Sequence, residues 1–364
     1  MTAALGAVAA IVLVAACAPR PSATGGVGAS SGVPDTGARP PDDRIADVRL
    51  ALPPEPRAPW RALVGGYAAG ADTVLLLEDG GRLHLLGADS ARRPLRALDS
   101  LATRLVVAAP APAETLRVER RGDGAVVALV RGATRLARLA FAPEDGAAFR
   151  IVPQRPVEAL RREALAAAPP PQPDSLRTPE LVELVALDRT IHLDVRYATT
   201  NNFMGARFYE APRAFLQRPA AEALVRAHHR LAALGYGIVV HDAYRPWYVT
   251  KMFWDATPPA QREFVADPRT GSRHNRGAAA DVSLYDLATG REVEMPSGYD
   301  EFTPRAYADY PGGTSRQRAL RALLRRAMEA EGFAVYPPEW WHFDHATWRH
   351  YPVANLRFEE IAPR

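Results

Sequence analysis

The rhythm of apolar and polar positions changes twice along the chain. From Trp60 to about Val152, short apolar runs alternate with turn signals. Thr73-Val-Leu-Leu-Leu-Glu78 and Arg82-Leu-His-Leu-Leu86 flank Asp79-Gly-Gly81, a hairpin pattern. The run from Leu116 to Glu119 and the run from Ala125 to Val130 flank Gly122-Asp-Gly124 as a second hairpin, and short strands are expected from Arg104 to Val107 and from Arg135 to Phe141. Residues 46–153 therefore read as a small all-β domain, barrel or sandwich. Its lone histidine, His84, reads as structural.

A helix is expected from Arg155 to Ala168, followed by the stiff Pro169-Pro-Pro-Gln-Pro173, so residues 154–178 read as a helix and linker. Beyond it the helical period takes over. Pro219 to Leu234 carries apolar residues at helical spacing and stops at Gly235; Ser315 to Ala330 does the same and stops near Gly332. Trp247 to Trp254 and Pro259 to Val265 are further expected helices. Strands are expected from Ile191 to Tyr197, Gly237 to Asp242, Ala280 to Tyr285, Phe333 to Tyr336 and Trp340 to Asp344. The fold class is α+β, with a central antiparallel sheet in residues 179–364 behind the all-β domain.

The amino-terminal residues change this picture only by adding an address. Ala3 to Ala16 is apolar but shorter than the ~20 residues a spanning helix needs. It ends in Val14-Ala15-Ala16-Cys17, and Cys17 is the only cysteine in 364 residues. The pattern resembles a bacterial lipobox, so residues 1–17 read as a lipoprotein-type signal peptide; an ordinary signal peptide is the plainer alternative. Residues 18–45, rich in Pro, Gly, Ser and Ala, read as a flexible tether. The expected location is outside the cytoplasm, membrane-anchored through Cys17, in the periplasm or at the cell surface.

A single cysteine excludes internal disulfides and thiolate-built zinc sites. The net charge of +4 is carried almost wholly by arginine, since Lys251 is the only lysine, and no basic run is interleaved with aromatics. Nucleic acid is therefore not an expected partner.

Eight of the nine histidines lie between His192 and His350. In Ser272-Arg-His-Asn-Arg-Gly-Ala-Ala-Ala-Asp281, a histidine and a carboxylate stand seven residues apart; Glu339-Trp-Trp-His342 answers them later. Two histidines and a carboxylate are a ligand set for a catalytic Zn²⁺ that keeps a position open for water. His274, Asp281 and His342 are the candidate ligands of one Zn²⁺ per chain. Glu339 is the residue type that takes a proton from the acidified water. Each residue alone is more simply a satisfied loop or strand-end side chain; it is their combination that points to chemistry. His345 and His350 read as supporting or surface histidines, and Trp340 and Trp341 as core and pocket wall.

Two resemblances follow from these motifs. Trp60-x-x-Leu63-x-Gly65-x-Tyr67 before the first hairpin resembles the small β-barrel appended to some bacterial serine hydrolases. Ser272-x-His274-x-x-Gly277-x-Ala279-x-Asp281 with Glu339-Trp-Trp-His342 resembles the zinc D-Ala-D-Ala dipeptidases of the vancomycin-resistance type, within the D,D-peptidase and hedgehog-fold superfamily. Tyr197-Ala-Thr-Thr-Asn-Asn-Phe-Met-Gly205 and Asp242-Ala-Tyr-Arg-Pro246 favour the dipeptidase branch, and the likeness covers about residues 181–361. It implies zinc at His274, Asp281 and His342, Glu339 as general base and later acid, and Arg245 as the oxyanion-stabilising arginine. It further implies Asp300 as the carboxylate for the substrate ammonium, with Ser272 and Tyr197 as secondary substrate contacts. The implied activity is hydrolysis of D-Ala-D-Ala or a related D,D-dipeptide in cell-wall peptide turnover. A D,D-carboxypeptidase or endopeptidase acting on peptidoglycan, and a non-catalytic zinc-containing wall-binding lipoprotein, are the alternatives. Met295-Pro-Ser-Gly-Tyr299 departs from the family's Met-Gly-Thr-type loop, which helps delimit the pocket.

Overall fold

A computed structural model describes residues 52–108, 114–142 and 147–361. The expected signal peptide and tether lie outside the described residues. Among the described residues no helix is long and apolar enough to cross a membrane.

The amino-terminal half is a closed antiparallel barrel of eight strands: β1 (Gly65–Ala69), β2 (Asp72–Asp79), β3 (Arg82–Leu86), β4 (Arg92–Ala97), β5 (Arg104–Val107), β6 (Thr115–Arg120), β7 (Val126–Arg131) and β8 (Thr134–Arg138). It closes where Tyr67 and Ala68 of β1 meet Arg138 and Ala137 of β8. Closure removes the free edges that a sandwich would keep. Val74, Leu76, Leu83, Leu85, Leu105, Leu116 and Leu129 fill the interior. Leu75 and Leu77 point the other way and pack with Leu86, Phe141 and Tyr310. Tyr310 belongs to the second half of the chain, so β2 is buried on both faces, which is why its sequence is a continuous apolar run rather than an alternation.

A carboxylate secures that junction. Glu78 is 1% exposed, and its Oε2 accepts from both the backbone N–H and the hydroxyl of Ser315, each at 2.8 Å, while its Oε1 accepts from Gly81 N at 2.7 Å. Replacing Glu78 with alanine leaves the two buried Ser315 donors unsatisfied; the expected cost is about 3 kcal/mol. Urea unfolding of the variant and the wild type, at equal m-value, measures it.

The remaining strands are β9 (Leu181–Glu183), β10 (His192–Leu193), β11 (Phe215–Gln217), β12 (Tyr236–Asp242), β13 (Ala279–Asp286), β14 (Phe333–Tyr336) and β15 (Glu339–His345). Five of them form one sheet in the order β10-β12-β13-β15-β14, and β9 pairs with β11 apart from it. The sheet is antiparallel except at its edge, where β10 runs parallel to β12. The longer helices are α1 (Val157–Ala166), α2 (Arg218–Ala232), α3 (Trp247–Ala256) and α4 (Ser315–Glu329), with single turns at Ala58–Arg61 and Leu184–Leu187. Leu224, Leu231, Leu320 and Leu324 of α2 and α4 share a core with Ile238, Val240, Val282, Leu284 and Phe343 of the sheet. Register pairs Ile238 with Leu284 and Val240 with Val282, so these side chains occupy one face, and the opposite face carries Asp281, Ser283 and His342 beside Val239.

Several expected elements differ from those observed. The alternation from Ile191 to Tyr197 yields only two paired residues, because the chain turns into a 3₁₀ segment at Arg196–Ala198. The expected helix from Pro259 to Val265 is a 3₁₀ turn, Pro259–Phe264. The Pro-rich stretch after α1 is tied down: Gln172 accepts from Val353 N, and Arg177 N donates to His350 O. α1 itself buries Leu160 and Ala164 in the core of the second half.

Candidate metal and active site

The site lies on the polar face of the sheet. Asp281 of β13 stands opposite His342 of β15 in register, so both side chains leave the sheet on the same side. His274 arrives from a 3₁₀ turn (His274–Arg276) that ends at Gly277. Gly277 has φ +63°, and a Cβ there would come 2.5 Å from Leu181 Cδ2, so both conformation and space require glycine. Asn275, fully buried, holds the turn: its amide donates to Arg245 O and to Thr250 Oγ1, and its oxygen accepts from Ser272 N.

His274 Nε2, His342 Nδ1 and Asp281 Oδ1 form a triangle with sides of 3.1, 3.1 and 3.3 Å. Tetrahedral ligands at about 2.0 Å from a zinc ion lie about 3.3 Å apart, so the donor set and its spacing fit that ion. The other nitrogen of each ring is committed elsewhere. His274 Nδ1 donates to Ala243 O at 2.6 Å, and His342 Nε2 lies 2.9 Å from Asp344 Oδ1. These contacts fix ring orientation and leave the facing nitrogens for a cation. Burial works against a charged His342, but Asp344 and Asp281 overcome it and raise its pKa to about 10. Burial likewise works against an ionised Asp281, yet the two histidines hold it well below the ordinary carboxylate range. The positive charge such a site calls for is what a metal ion would bring.

Glu339 lies outside this triangle, its Oε2 3.7 Å from His342 Nδ1. Strict strand alternation would send residues 339 and 342 to opposite faces. A register shift between Val335 and Tyr336 of β14 breaks the alternation of β15, and both side chains line one cavity. Burial, reinforced by the charges of Asp281 and Asp300, raises the Glu339 pKa. A carboxylate so raised is a competent proton carrier near neutral pH.

Arg245, 8% exposed, sits in the turn after β12. Its Nε donates to Asp242 Oδ2 at 2.8 Å, and its Nη2 lies 2.7 Å from that oxygen and 3.7 Å from Asp281 Oδ2. Tyr209 donates to the other oxygen of Asp242 at 2.8 Å. The guanidinium is also stacked against Phe253 and Tyr197.

Asp300 closes the site. It is 7% exposed and adopts φ +55°, a left-handed conformation uncommon outside glycine. Tyr197 OH donates to its Oδ2 at 2.7 Å. Burial first, then the charge of Asp281, pushes its pKa up to about 7. Ser272 lines the cavity, but its Oγ accepts from His274 N at 3.2 Å and so also shapes the ligand turn. The cavity has a volume of about 100 Å³. That is room for a small ligand only. Phe203, Phe253, Phe264 and Phe302 supply its apolar wall.

All eight expected site residues, Tyr197, Arg245, Ser272, His274, Asp281, Asp300, Glu339 and His342, line this one cavity. His345, 8% exposed, is not at the surface: it bonds Thr347 and packs on Phe333. His350 is exposed, and His84 belongs to no metal-type grouping among the described residues. Trp340 and Trp341 are buried; Trp340 donates to Ser297 Oγ at 2.8 Å, and Trp341 packs edge-on to Tyr299. Sequence reasoning missed Asp242, Asn275 and Asp344, which hold Arg245, His274 and His342. Asp242 and Asp344 are each a few residues from a candidate, and that proximity is the signal that could have found them.

Comparison with known proteins agrees with this geometry. The peptidase M15 family model, described as D-ala-D-ala dipeptidase, matches residues 177–360 and leaves the barrel outside. The D-alanyl-D-alanine dipeptidase of Escherichia coli (strain K12) is 34% identical, over 50% of this chain and 92% of its own length. That of Enterococcus faecalis (strain ATCC 700802 / V583) is 34% identical over 43% of this chain and 88% of its own. The Streptomyces coelicolor enzyme of the same name is 34% identical over 42% of this chain and 85% of its own.

Proposed function

Because the chain belongs to the D-Ala-D-Ala dipeptidase family of metallopeptidases, we propose that it hydrolyses D-Ala-D-Ala or a closely related D,D-dipeptide with one zinc ion bound by His274, Asp281 and His342. The observation that carries this reading is the 3.1–3.3 Å ligand triangle at the floor of a small cavity that also presents Glu339, Arg245 and Asp300. When bound, zinc supplies Lewis acidity and a water of lowered pKa.

The chain's own residues do the rest. Glu339 takes the proton of the attacking water and delivers it to the nitrogen of the leaving D-alanine as the amide bond breaks. Arg245, held rigidly by Asp242, stabilises the negative charge that develops on the carbonyl oxygen. Asp300 pairs with the free ammonium of the substrate, and Tyr197 orients it. A neighbouring ammonium favours the ionised carboxylate, which burial alone disfavours.

The small volume of the cavity favours a dipeptide over a polymeric wall substrate. A panel of D-Ala-D-Ala, its N-acetyl derivative, a wall pentapeptide and whole sacculi tests this, with and without a chelator. Turnover of the free dipeptide alone, abolished by chelation and restored by zinc, is the expected result. Preferential cleavage of pentapeptide or sacculi would replace it with a carboxypeptidase or endopeptidase. Turnover of any substrate excludes a purely structural zinc domain. His274→Ala should fail to retain zinc in dialysis. Asp300→Asn should raise KM for D-Ala-D-Ala by about 10–100-fold, the worth of a charge-assisted hydrogen bond; an unchanged KM would remove Asp300 from substrate binding.

The same reading takes the second half as hedgehog/D,D-peptidase-like in fold, supported by one sheet that offers ligands from β13 and β15. A role outside the cytoplasm, in turnover of wall-derived peptides, rests on Ala3 to Cys17 alone. Labelled fatty acid incorporated by the wild type and not by Cys17→Ala would support the anchor.

A further inference from the structure

A second cluster of His and carboxylate lies behind the site. His241 is completely buried; its Nδ1 is 3.3 Å from the backbone oxygen and 3.6 Å from Oδ2 of Asp194, and its Nε2 is 3.2 Å from Glu292 Oε1. Ligand atoms of these three residues fall within 4.8 Å of one another. The ring faces a different acceptor with each nitrogen, so a proton on each satisfies the arrangement.

The face of this ring is in use as well. It stacks on Tyr299, with centroids 4.6 Å apart and planes 24° apart. Tyr299 OH donates to Asp281 Oδ2 at 2.9 Å, while Asp281 Oδ1 belongs to the ligand triangle. We propose that His241 is a positioning residue for the metal site: clamped between Asp194 and Glu292, it seats and polarises Tyr299, whose hydroxyl holds Asp281 Oδ2 and leaves Oδ1 to the ion. A cation against the face of a phenol, away from water, is favourable and draws electron density from the ring, strengthening its O–H as a donor. Burial opposes charge on His241, but the Asp194 and Glu292 carboxylates outweigh it and raise its pKa to about 9. Hydrogen bonds from His241 in turn help keep Asp194 and Glu292 below their usual values against burial.

The inference rests on the zinc reading of His274, Asp281 and His342, and a double-mutant cycle on zinc affinity separates the two. Zinc Kd is measured by competition with a chromophoric chelator for wild type, His241→Phe, Tyr299→Phe and the double variant, with thermal melts as the check on folding. Tyr299→Phe should weaken zinc binding by about 10–100-fold and His241→Phe by about tenfold. The double variant should be no weaker than Tyr299→Phe within about twofold, because His241 acts through that hydroxyl. Wild-type affinity in His241→Phe, or losses that multiply in the double variant, would overturn the proposal while leaving the zinc site standing. A wild type that takes up no zinc overturns both. Should His241→Phe fail to fold, Glu292→Gln at a half-exposed position serves instead: a several-fold loss present with Tyr299 and absent in the Tyr299→Phe background is expected, and an equal loss in both refutes it.

Discussion

Glu339→Gln is expected to lower kcat on D-Ala-D-Ala by about 10²–10⁴-fold, the usual worth of a positioned general base, while the purified variant still binds zinc. Glutamine keeps the shape of the side chain and removes only the ability to accept and return a proton. Glu339 stands 3.7 Å from His342 Nδ1 and outside the triangle of 3.1–3.3 Å, so its loss takes no ligand away. Metal analysis beside steady-state kinetics reads both halves of the expectation. Wild-type kcat in the variant would remove Glu339 from the chemistry. Loss of zinc together with activity would instead make it a ligand.

Arg245→Lys is expected to cost about 10²–10³-fold in kcat, comparable to removing one oxyanion donor, with a smaller change in stability than Arg245→Ala. Lysine preserves the charge but cannot present two donors to Asp242 Oδ2, as Nε and Nη2 do at 2.8 and 2.7 Å. Alanine leaves Asp242, 1% exposed, without its guanidinium partner, and breaking such a buried pair costs about 3–5 kcal/mol. Kinetics and urea unfolding on both variants separate the roles. If the guanidinium served stability alone, kcat would follow stability, and the lysine variant would turn over nearly as wild type.

The candidate metal site was legible as a cluster because its parts are local in sequence or carry distinctive chemistry. His274 and Asp281 share one ten-residue stretch, and Glu339 and His342 share four residues. Arg245, Asp300, Tyr197 and Ser272 came from resemblance, not from spacing. Tyr299 and His241 were not legible. Their link to Asp281 runs through a ring stack and one hydroxyl between segments about sixty residues apart, and no periodicity records such a contact. The barrel was half legible for a similar reason. β2 and β3 announce themselves with leucines, but β1 is Gly-Gly-Tyr-Ala-Ala and β4 turns only Leu95 fully inward. Such strands owe their existence to the neighbours that close the barrel rather than to their own propensity. The register shift in β15 that brings Glu339 beside His342 is likewise a property of strand pairing, invisible in the chain itself.

The doubly buried β2 has a consequence for how this protein must be made. On the ribosome the barrel half emerges first, with Leu75 and Leu77 facing outward and Glu78 without its serine. Phe141, at the end of the barrel half, covers part of this leucine face, but Tyr310 and the Ser315 that bonds Glu78 are synthesised only after most of the catalytic half. Throughout that interval the nascent chain displays a leucine stripe that is only partly covered, a surface suited to chaperone capture or to misassociation. A chain cut in the Pro-rich stretch would keep that stripe exposed for good. The two halves are thus better handled, in expression and in engineering, as one folding unit than as a catalytic domain with a removable appendage.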